Sequence, residues 1–190
     1  RLAPLAPAGR AAVVYGMAMI ARQLGGVEAP ITVRRNRPGD MGMLVSRQAA
    51  LYNAEYAWDD SFEALVAGIA SAFLTSNDPL RERAFIAERD GAMLGTALVV
   101  AQDDSVAKLR LLYVEPAARG TGLGRRLVRD CVDFAAAAGY RRMVLWTNDI
   151  LHAARRIYET EGFELTASEP HRSFGHDLVG ETWERALAPA

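Results

Sequence analysis

Two spacings of apolar residues alternate along the chain, and their order predicts the elements of the fold. Apolar positions three to four residues apart predict helices over residues 7–24, 41–56, 62–74, 123–138 and 151–160. Apolar runs typical of strands cover residues 31–35, 84–87, 94–101, 107–114, 143–146, 163–165 and 178–186. Asp90-Gly91 predicts a hairpin turn. This order predicts an α+β (mixed α/β) fold, a central mixed sheet of about seven strands flanked by helices, with an extra N-terminal helix.

The amino-terminal segment is separate from this pattern, and we divide the chain into a helical extension or linker over residues 1–26 and a domain over residues 27–190. The uncharged run over residues 11–21 is shorter than the roughly 20 residues of a membrane helix. Arg22 follows it without a small-residue cleavage site before it. We therefore expect no membrane partner and a cytoplasmic protein. The chain starts at Arg1 without a methionine, as a processed or trimmed product does, so we expect a segment upstream.

Composition excludes several kinds of function. The single cysteine, Cys131, excludes a disulfide framework, and with three histidines it leaves no Cys/His cage for a structural metal. A net charge of −1 and a pI near 6.4 provide no general field for nucleic acid or anionic lipid. We expect no metal cofactor and no direct nucleic-acid binding within this chain.

The segment from Leu112 to Leu127 joins a strand end, a proline-marked loop and a glycine-rich helix start. Glycines allow close approach of the backbone to a phosphate, and free N–H groups at a helix N-terminus hold a pyrophosphate. Arg119 and Arg125 are able to add ionic contacts. A tight turn with solvated arginines is the alternative. No Gly-Lys-Ser/Thr occurs, which excludes a Walker loop, and Leu127 replaces the third glycine of a dinucleotide fingerprint.

Arg119, Gly122 and Gly124 match the acyl-CoA motif Arg/Gln-x-x-Gly-x-Gly/Ala, and the chain resembles the GNAT superfamily of N-acetyltransferases. The stretch from Ala153 to Phe163 resembles the second signature of that family, and the likeness covers about residues 31–187. The resemblance implies acetyl-CoA as acyl donor and an amine of a small molecule or protein as acceptor.

Residues 1–26, called the leader below, add a second resemblance and a second candidate function. The segment up to Asp40 resembles the junction in proteins that fuse a MarR-type winged-helix regulator to a GNAT domain. On that interpretation the chain is a non-catalytic acyl-CoA-sensing domain of a transcription regulator, and residues 1–26 are the tail of a dimerising helix that makes a homodimer. A helical extension packed on the domain is the alternative.

The GNAT resemblance also implies site residues. The pyrophosphate binds backbone amides of the loop, and strand residues bind pantetheine and the thioester carbonyl, where donors stabilise a developing oxyanion. The residues so implied are Gly120, Thr121, Gly122, Leu123, Gly124 and Arg125 in the loop, and Leu112, Tyr113 and Val114 in the strand.

The same resemblance suggests how protons move. Tyr158 is the predicted acid for the departing thiolate, with a core role as alternative. Glu115 is the candidate base, directly or through water, unless it is a solvated carboxylate. Leu151 stands where many relatives have a cofactor-binding asparagine, and Asn148 is either its substitute or a helix cap.

The acceptor site is left open by the sequence. Glu169, His171, His176 and Asp177 precede the last strand. The open interpretations of this group are a surface loop, a role as base or acceptor ligand, and a metal site. An acidic and aromatic group between the two early helices favours a cationic amine, with ordinary helix capping by Asp60 or Ser61 as alternative. That group consists of Glu55, Trp58, Asp59 and Asp60.

Overall fold

The computed structural model describes residues 29–188 together with Gly16, Met17 and Ile20. The strands are β1 Thr32–Arg35, β2 Arg83–Arg89, β3 Ala92–Ala101, β4 Val106–Val114, β5 Arg142–Asn148, β6 Glu164–Ser173 and β7 His176–Ala186. The helices are α1 Asp40–Tyr56, α2 Asp60–Ser76, α3 Leu123–Ala137 and α4 His152–Thr160, with one 3-10 turn at Pro116–Ala118. Their order is the predicted one.

All strands join one seven-stranded sheet in the order β1-β2-β3-β4-β5-β7-β6. The neighbours are antiparallel except β4 and β5, which are parallel because α3 crosses over between them. The predicted mixed sheet of about seven strands is therefore confirmed. β7 lies between β5 and β6, so the second crossover skips one strand position.

Helices cover the two faces of the sheet and give two cores. On one face, Leu127 of α3 and Tyr158 of α4 pack with Leu109 and Leu145 of the sheet. On the other face, α1 and α2 cover a second core, in which Leu44 and Val66 meet Ile86 and Leu98. The sheet is thus the middle layer of three, as apolar helices on both faces require.

An irregularity in β4 changes the sheet in its centre. Leu98 pairs with Arg110 and Thr96 with Tyr113, so β4 contains one extra residue and bulges there. Leu111 takes a positive φ of 50° within this bulge. The parallel ladder between β4 and β5 pairs residues 106–109 with residues 142–145. Both strands continue past that ladder and separate, which opens a gap in the sheet.

The β6–β7 hairpin is longer than the sequence predicts. β6 runs over ten residues, nearly all exposed, whereas the apolar pattern predicted a strand only over 163–165. An exposed edge strand lacks the apolar alternation that periodicity detects. Phe174 and Gly175 turn the chain at positive φ, and the Phe174 ring lies 4.6 Å from that of Trp58. Glu169, His171, His176 and Asp177 therefore belong to a hairpin, and the surface-loop prediction is wrong.

The predicted leader helix falls mostly outside the described residues. Met17 and Ile20 are helical, and their exposed fractions are 61% and 62%. Val13 and Leu24, which with Met17 and Ile20 are the apolar positions that predict this helix, lie outside the part that the structure describes. In the described part, no helix combines the length and the apolar character that crossing a membrane requires.

Candidate active site

A cavity of about 370 Å³ occupies the gap beside the free edge of β4. This volume is within the range of small-molecule sites. α1, β4, the loop before α3, and α4 all contribute to its lining. The lining residues are Leu51, Tyr52, Glu55, Tyr56, Leu112, Tyr113, Val114, Ala118, Arg119, Gly120, Gly122, Leu123, Gly124, Arg125, Leu151, Ala153, Ala154 and Ile157.

The loop before α3 presents free backbone donors to this cavity. Gly120 and Gly122 have φ values of 75° and 82°, and a Cβ on either would meet no atom within 4 Å. Gly122 is the N-cap of α3 and no side chain caps the helix. The first helical hydrogen bond is donated by the N–H of Arg126 to Gly122. The N–H groups of residues 123–125 thus have no partner within the helix, and free donors at a helix N-terminus are of the kind that bind anions.

Two other loop residues have structural contacts. A Cβ on Gly124 would lie 2.8 Å from Cδ1 of Ile157, so this glycine lets α3 approach α4 closely. The Thr121 hydroxyl donates to the carbonyl of Ala118 over 2.7 Å. Gly124 lines the cavity, whereas Thr121 is not among its lining residues.

Both arginines predicted to add ionic contacts are already paired. Arg125 Nε lies 2.5 Å from Oε1 of Glu161, which also binds Arg129. Burial opposes ionisation of Glu161, but the two arginines outweigh it and lower its pKa. Arg119 contacts Glu55 of α1 through both terminal nitrogens, at 2.8 Å and 3.0 Å. The Arg119 pair joins two walls of the cavity.

The strand residues predicted to bind the donor lie on the cavity. Leu112, Tyr113 and Val114 all line it, on the stretch of β4 that follows the bulge and has left the β5 ladder. The backbone edge facing β5 is therefore open to hydrogen bonding with a ligand.

Glu115 directly follows this strand and is held in an ion pair. Its Oε1 lies 2.5 Å from Nε of Arg47 on α1, and the residue is buried. Burial favours the neutral acid, but the hydrogen bond from Arg47 and the neighbouring Tyr113 lower the pKa of Glu115. Burial and the Glu115 carboxylate in turn raise the pKa of Tyr113. Glu115 is thus a charged, weak base, and it is not a solvated carboxylate.

Tyr158 stands behind the cavity lining. It is 5% exposed, and its ring lies 6.0 Å from that of Phe163 in the core. Burial raises the pKa of its hydroxyl, and the nearby Tyr52 adds to the shift. Tyr52 lines the cavity, and burial raises its pKa to about 12. Both hydroxyls are therefore protonated at neutral pH and able to donate.

Asn148 lies away from this cavity. Its Oδ1 is 2.9 Å from Nε2 of His171, and the N-cap of α4 is Leu151, so the helix-cap interpretation is wrong. The two histidines of the hairpin have separate partners, because His176 Nε2 contacts the carbonyl of Ala57 at 3.0 Å. Within the described residues, no three His, Cys, Asp or Glu side chains group to hold a metal.

Most residues of the acidic and aromatic group between α1 and α2 support the fold and do not line the cavity. Asp59 caps α2 by accepting from the backbone N–H of Ser61 at 3.0 Å, so capping is confirmed but the cap is Asp59. Trp58 is 2% exposed and cannot form a rim. Glu55 alone of this group lines the cavity, and it is bound to Arg119.

Helix α1 contributes residues to the site that were not predicted from the sequence. Leu51, Tyr52 and Tyr56 line the cavity and Arg47 holds Glu115. The signal was available in the spacing of three to four residues that places these positions along one side of the helix. The spacing does not show which surface this side of α1 packs against, and in the structure that surface is the sheet.

Comparison with known proteins agrees with the fold and the site. The profile of the acetyltransferase (GNAT) family matches residues 47–163. An uncharacterised N-acetyltransferase of Schizosaccharomyces pombe is 30% identical over 133 residues, which are 70% of this chain and 78% of that protein.

Solved structures give the same answer. A GCN5-related N-acetyltransferase from Kribbella flavida is 26% identical, with a TM-score of 0.67 over 83% of this chain and 98% of that one. The yncA acetyltransferase from Salmonella typhimurium, solved with acetyl-CoA, has a TM-score of 0.67 at 23% identity, over 85% of this chain and 96% of that one. The chain belongs to the GNAT family of acetyltransferases.

Proposed function

We propose that this chain is an acetyl-CoA-dependent N-acetyltransferase that transfers an acetyl group to an amine. The observation that carries the proposal is the cavity itself, which has the uncapped start of α3 at one end and the free edge of β4 at the other. One end suits a pyrophosphate and the other suits an extended chain with amide groups.

The residues present fit this donor. Gly120 and Gly122 leave open the space that a Cβ would fill, and the amides of residues 123–125 are free of helical partners. The edge of β4 from Leu112 to Val114 would hold the pantetheine amides. Acetyl-CoA supplies an activated acyl group, whose carbonyl carbon bonds to the amine nitrogen as the carbon–sulfur bond breaks. The chain must then give one proton to the thiolate and take one from the amine.

Tyr158 would donate the proton to the thiolate. Its raised pKa keeps the hydroxyl protonated at neutral pH, and its neighbours Ala154 and Ile157 line the cavity. A positioned acid of this kind contributes about 10²- to 10⁴-fold to a rate. Tyr52 lines the cavity and contributes to the raised pKa of Tyr158.

Glu115 would take the proton from the amine through water. It is ionised, follows the strand that borders the cavity, and is fixed by Arg47. Its lowered pKa makes it a weak base, so it would act mainly by attracting the ammonium form of the acceptor and passing its proton onward.

The experiment is a release assay for the free thiol of CoA. We expect acetyl-CoA to be consumed only when an amine is present, in a panel of amino acids, polyamines and lysine peptides. Calorimetric binding of acetyl-CoA without turnover on any amine would favour the acyl-CoA-sensing alternative. Failure to bind acetyl-CoA would contradict both functions.

The homodimer is a separate proposal. Met17 and Ile20 are exposed in the described part of the leader, and exposed apolar stripes associate. Light scattering should show a larger species for the full chain than for a chain beginning at Val27. Equal oligomeric states at equal concentration would contradict a dimer through residues 1–26.

A further inference from the structure

The face of the sheet opposite α3 and α4 carries a second group of side chains where β4 and β5 separate. Leu109 and Leu145 form the last pair of the parallel ladder, and both lie in the core under α3. Side chains alternate along a strand, so the next residues, Arg110 and Trp146, project from the opposite face. Arg110 pairs with Leu98, which lies in the core under α1 and α2. Because paired residues share a face of the sheet, this pairing also places Arg110 on the face of α1 and α2.

Arg110 is a half-buried cation without a counter-charge. Within the described residues it has neither an ion pair nor a hydrogen bond, and burial lowers its pKa. Lys108 lies two positions earlier on the same face, and burial and the charge of Arg110 lower its pKa as well. Removing an arginine from water without a partner costs free energy, which a bound anion offsets.

The acidic residues around the gap do not supply that anion. Glu55 is bound by Arg119, Glu115 by Arg47 and Glu184 by Arg142. Two further carboxylates on this face, those of Glu164 and Glu169, are exposed and lie on β6. They are three strand spacings from β4, about 14 Å. Within the part of the chain that the structure describes, no carboxylate pairs with Arg110, so its positive charge is left unneutralised where β4 and β5 separate.

Trp146 gives this face a rigid apolar wall. It is 45% exposed, and it packs so closely on Gly180 that a Cβ there would lie 2.6 Å from its Cζ2. Its ring is 5.2 Å from that of His171, which Asn148 and Ser173 hold by contacts of 2.9 Å and 3.0 Å. A fixed aromatic ring one strand away from a free guanidinium is a combination typical of small-molecule sites.

We propose that Arg110 and Trp146 bind the acceptor, and that the acceptor is a primary amine bearing a carboxylate, of the amino-acid type. The guanidinium of Arg110 pairs with the carboxylate, and Trp146 packs against the carbon skeleton. The amine nitrogen reaches the gap between β4 and β5 from the face opposite α3. Polyamines are disfavoured, because Arg110 and Lys108 repel a second cation. This inference rests on the proposed acetyl transfer for its chemistry.

The first test compares amino acids with their amides, which differ only in the negative charge. With acetyl-CoA saturating, we expect kcat/KM to favour the acids by about ten- to a hundredfold. Arg110→Met should abolish that preference and Arg110→Lys should retain part of it. Arg172→Met is the matched control, because Arg172 is an exposed arginine of β6 bound to Asp177. An equal or greater rate with amides or polyamines, or a preference that survives Arg110→Met, would overturn the proposal.

The second test does not depend on turnover. Binding of the same amino acids is measured by calorimetry with CoA present, which has no acyl group to transfer. Binding of the acids that is lost in Arg110→Met supports the site even if no amine is acetylated, in which case the proposed function fails and the anion site stands. Absence of binding up to about 10 mM, above the usual range of KM, would overturn the site whatever the turnover shows.

Thermal unfolding separates a binding role from a structural one. Because Arg110 has no partner among the described residues, replacing it by methionine should leave the melting temperature unchanged or raise it. A marked fall in melting temperature together with weaker binding would indicate that Arg110 supports the fold and would contradict the proposal.

Discussion

Arg119 and Glu55 form a bidentate ion pair across the cavity, between the loop before α3 and helix α1. Arg119, the arginine of the acyl-CoA motif, is therefore already bound to Glu55 when no phosphate is present. The hydrogen bond that Arg119 donates to Glu55 raises the pKa of Arg119, so the arginine is charged at any physiological pH. A bound pyrophosphate would compete with Glu55 for this guanidinium.

Glu55→Gln should therefore strengthen acetyl-CoA binding. The competing pair is partly exposed, so we expect a gain of no more than about fivefold, which shrinks as salt is added. Calorimetry at low and high ionic strength measures it. Glu63→Gln is the control, since it makes the same change of charge at an exposed position of α2 outside the cavity lining. Weaker binding in Glu55→Gln would show that Glu55 helps to hold the donor.

Gly122→Val should weaken acetyl-CoA binding by tenfold or more, because a branched side chain would fill the space at the start of α3. The φ of 82° also strains valine, and this strain must be separated from the loss of space. Gly39→Val provides the control: Gly39 is the N-cap of α1, has a φ of 97°, and would also direct a Cβ into open space. Equal acetyl-CoA affinity in the folded Gly122→Val and Gly39→Val proteins would contradict the site.

Tyr158→Phe should lower kcat at least tenfold and leave acetyl-CoA affinity within about threefold of the parent, since only the hydroxyl is lost. Tyr140→Phe is the matched control, because Tyr140 is a buried tyrosine of the same core and lies outside the cavity lining. The rates must be measured where the chemical step limits turnover. A Tyr158→Phe protein as active as Tyr140→Phe would exclude Tyr158 as the acid.

The pH dependence tests Glu115. Its pKa is lowered from 4.5, so it stays charged at higher pH, and an acid limb of kcat/KM near neutrality belongs to the acceptor amine. Arg47→Met removes the hydrogen bond that lowers the pKa and leaves the burial that raises it, so the pKa of Glu115 rises. We expect a new acid limb at higher pH in this variant, and none in Arg47→Met combined with Glu115→Gln. An unchanged pH profile in Arg47→Met would remove Glu115 from the proton path.

The same shift links Glu115 to stability. Because the pKa is lower in the folded protein, ionised Glu115 stabilises the fold above about pH 4.5, its value when unfolded, and this contribution disappears as the pH falls through the folded pKa. Glu115→Gln should reduce the dependence of unfolding free energy on pH in that acidic window. Denaturant unfolding from neutral to acidic pH measures it.

Local features of the site were predictable from the sequence and long-range ones were not. Gly122 and Gly124 mark a helix start whose geometry depends on their own backbone, so the uncapped start of α3 could be predicted from a few residues. The Arg119 pair with Glu55 joins positions far apart in sequence, and no periodicity indicates it. Asn148 shows the same limit, since its partner His171 is brought close only by the hairpin.

Some features of the sheet could not be predicted from the pattern of apolar residues. Buried strands such as β3 were predicted from their apolar runs, but the exposed edge strand β6 was mostly missed. The separation of β4 from β5 depends on a bulge near Leu111 and on how far one ladder extends, and both are tertiary properties. The positions of Arg110 and Trp146 beside that gap could therefore come only from the structure.

The most direct test of the central claim follows an isotope-labelled acetyl group from acetyl-CoA into product by mass spectrometry. We expect the label to appear in an amide bond on the acceptor nitrogen, at a rate that falls together with acetyl-CoA affinity in Gly122→Val and is unchanged in Gly39→Val. Label found only as free acetate, or amide formation at the parental rate in Gly122→Val, would contradict acetyl transfer through this cavity.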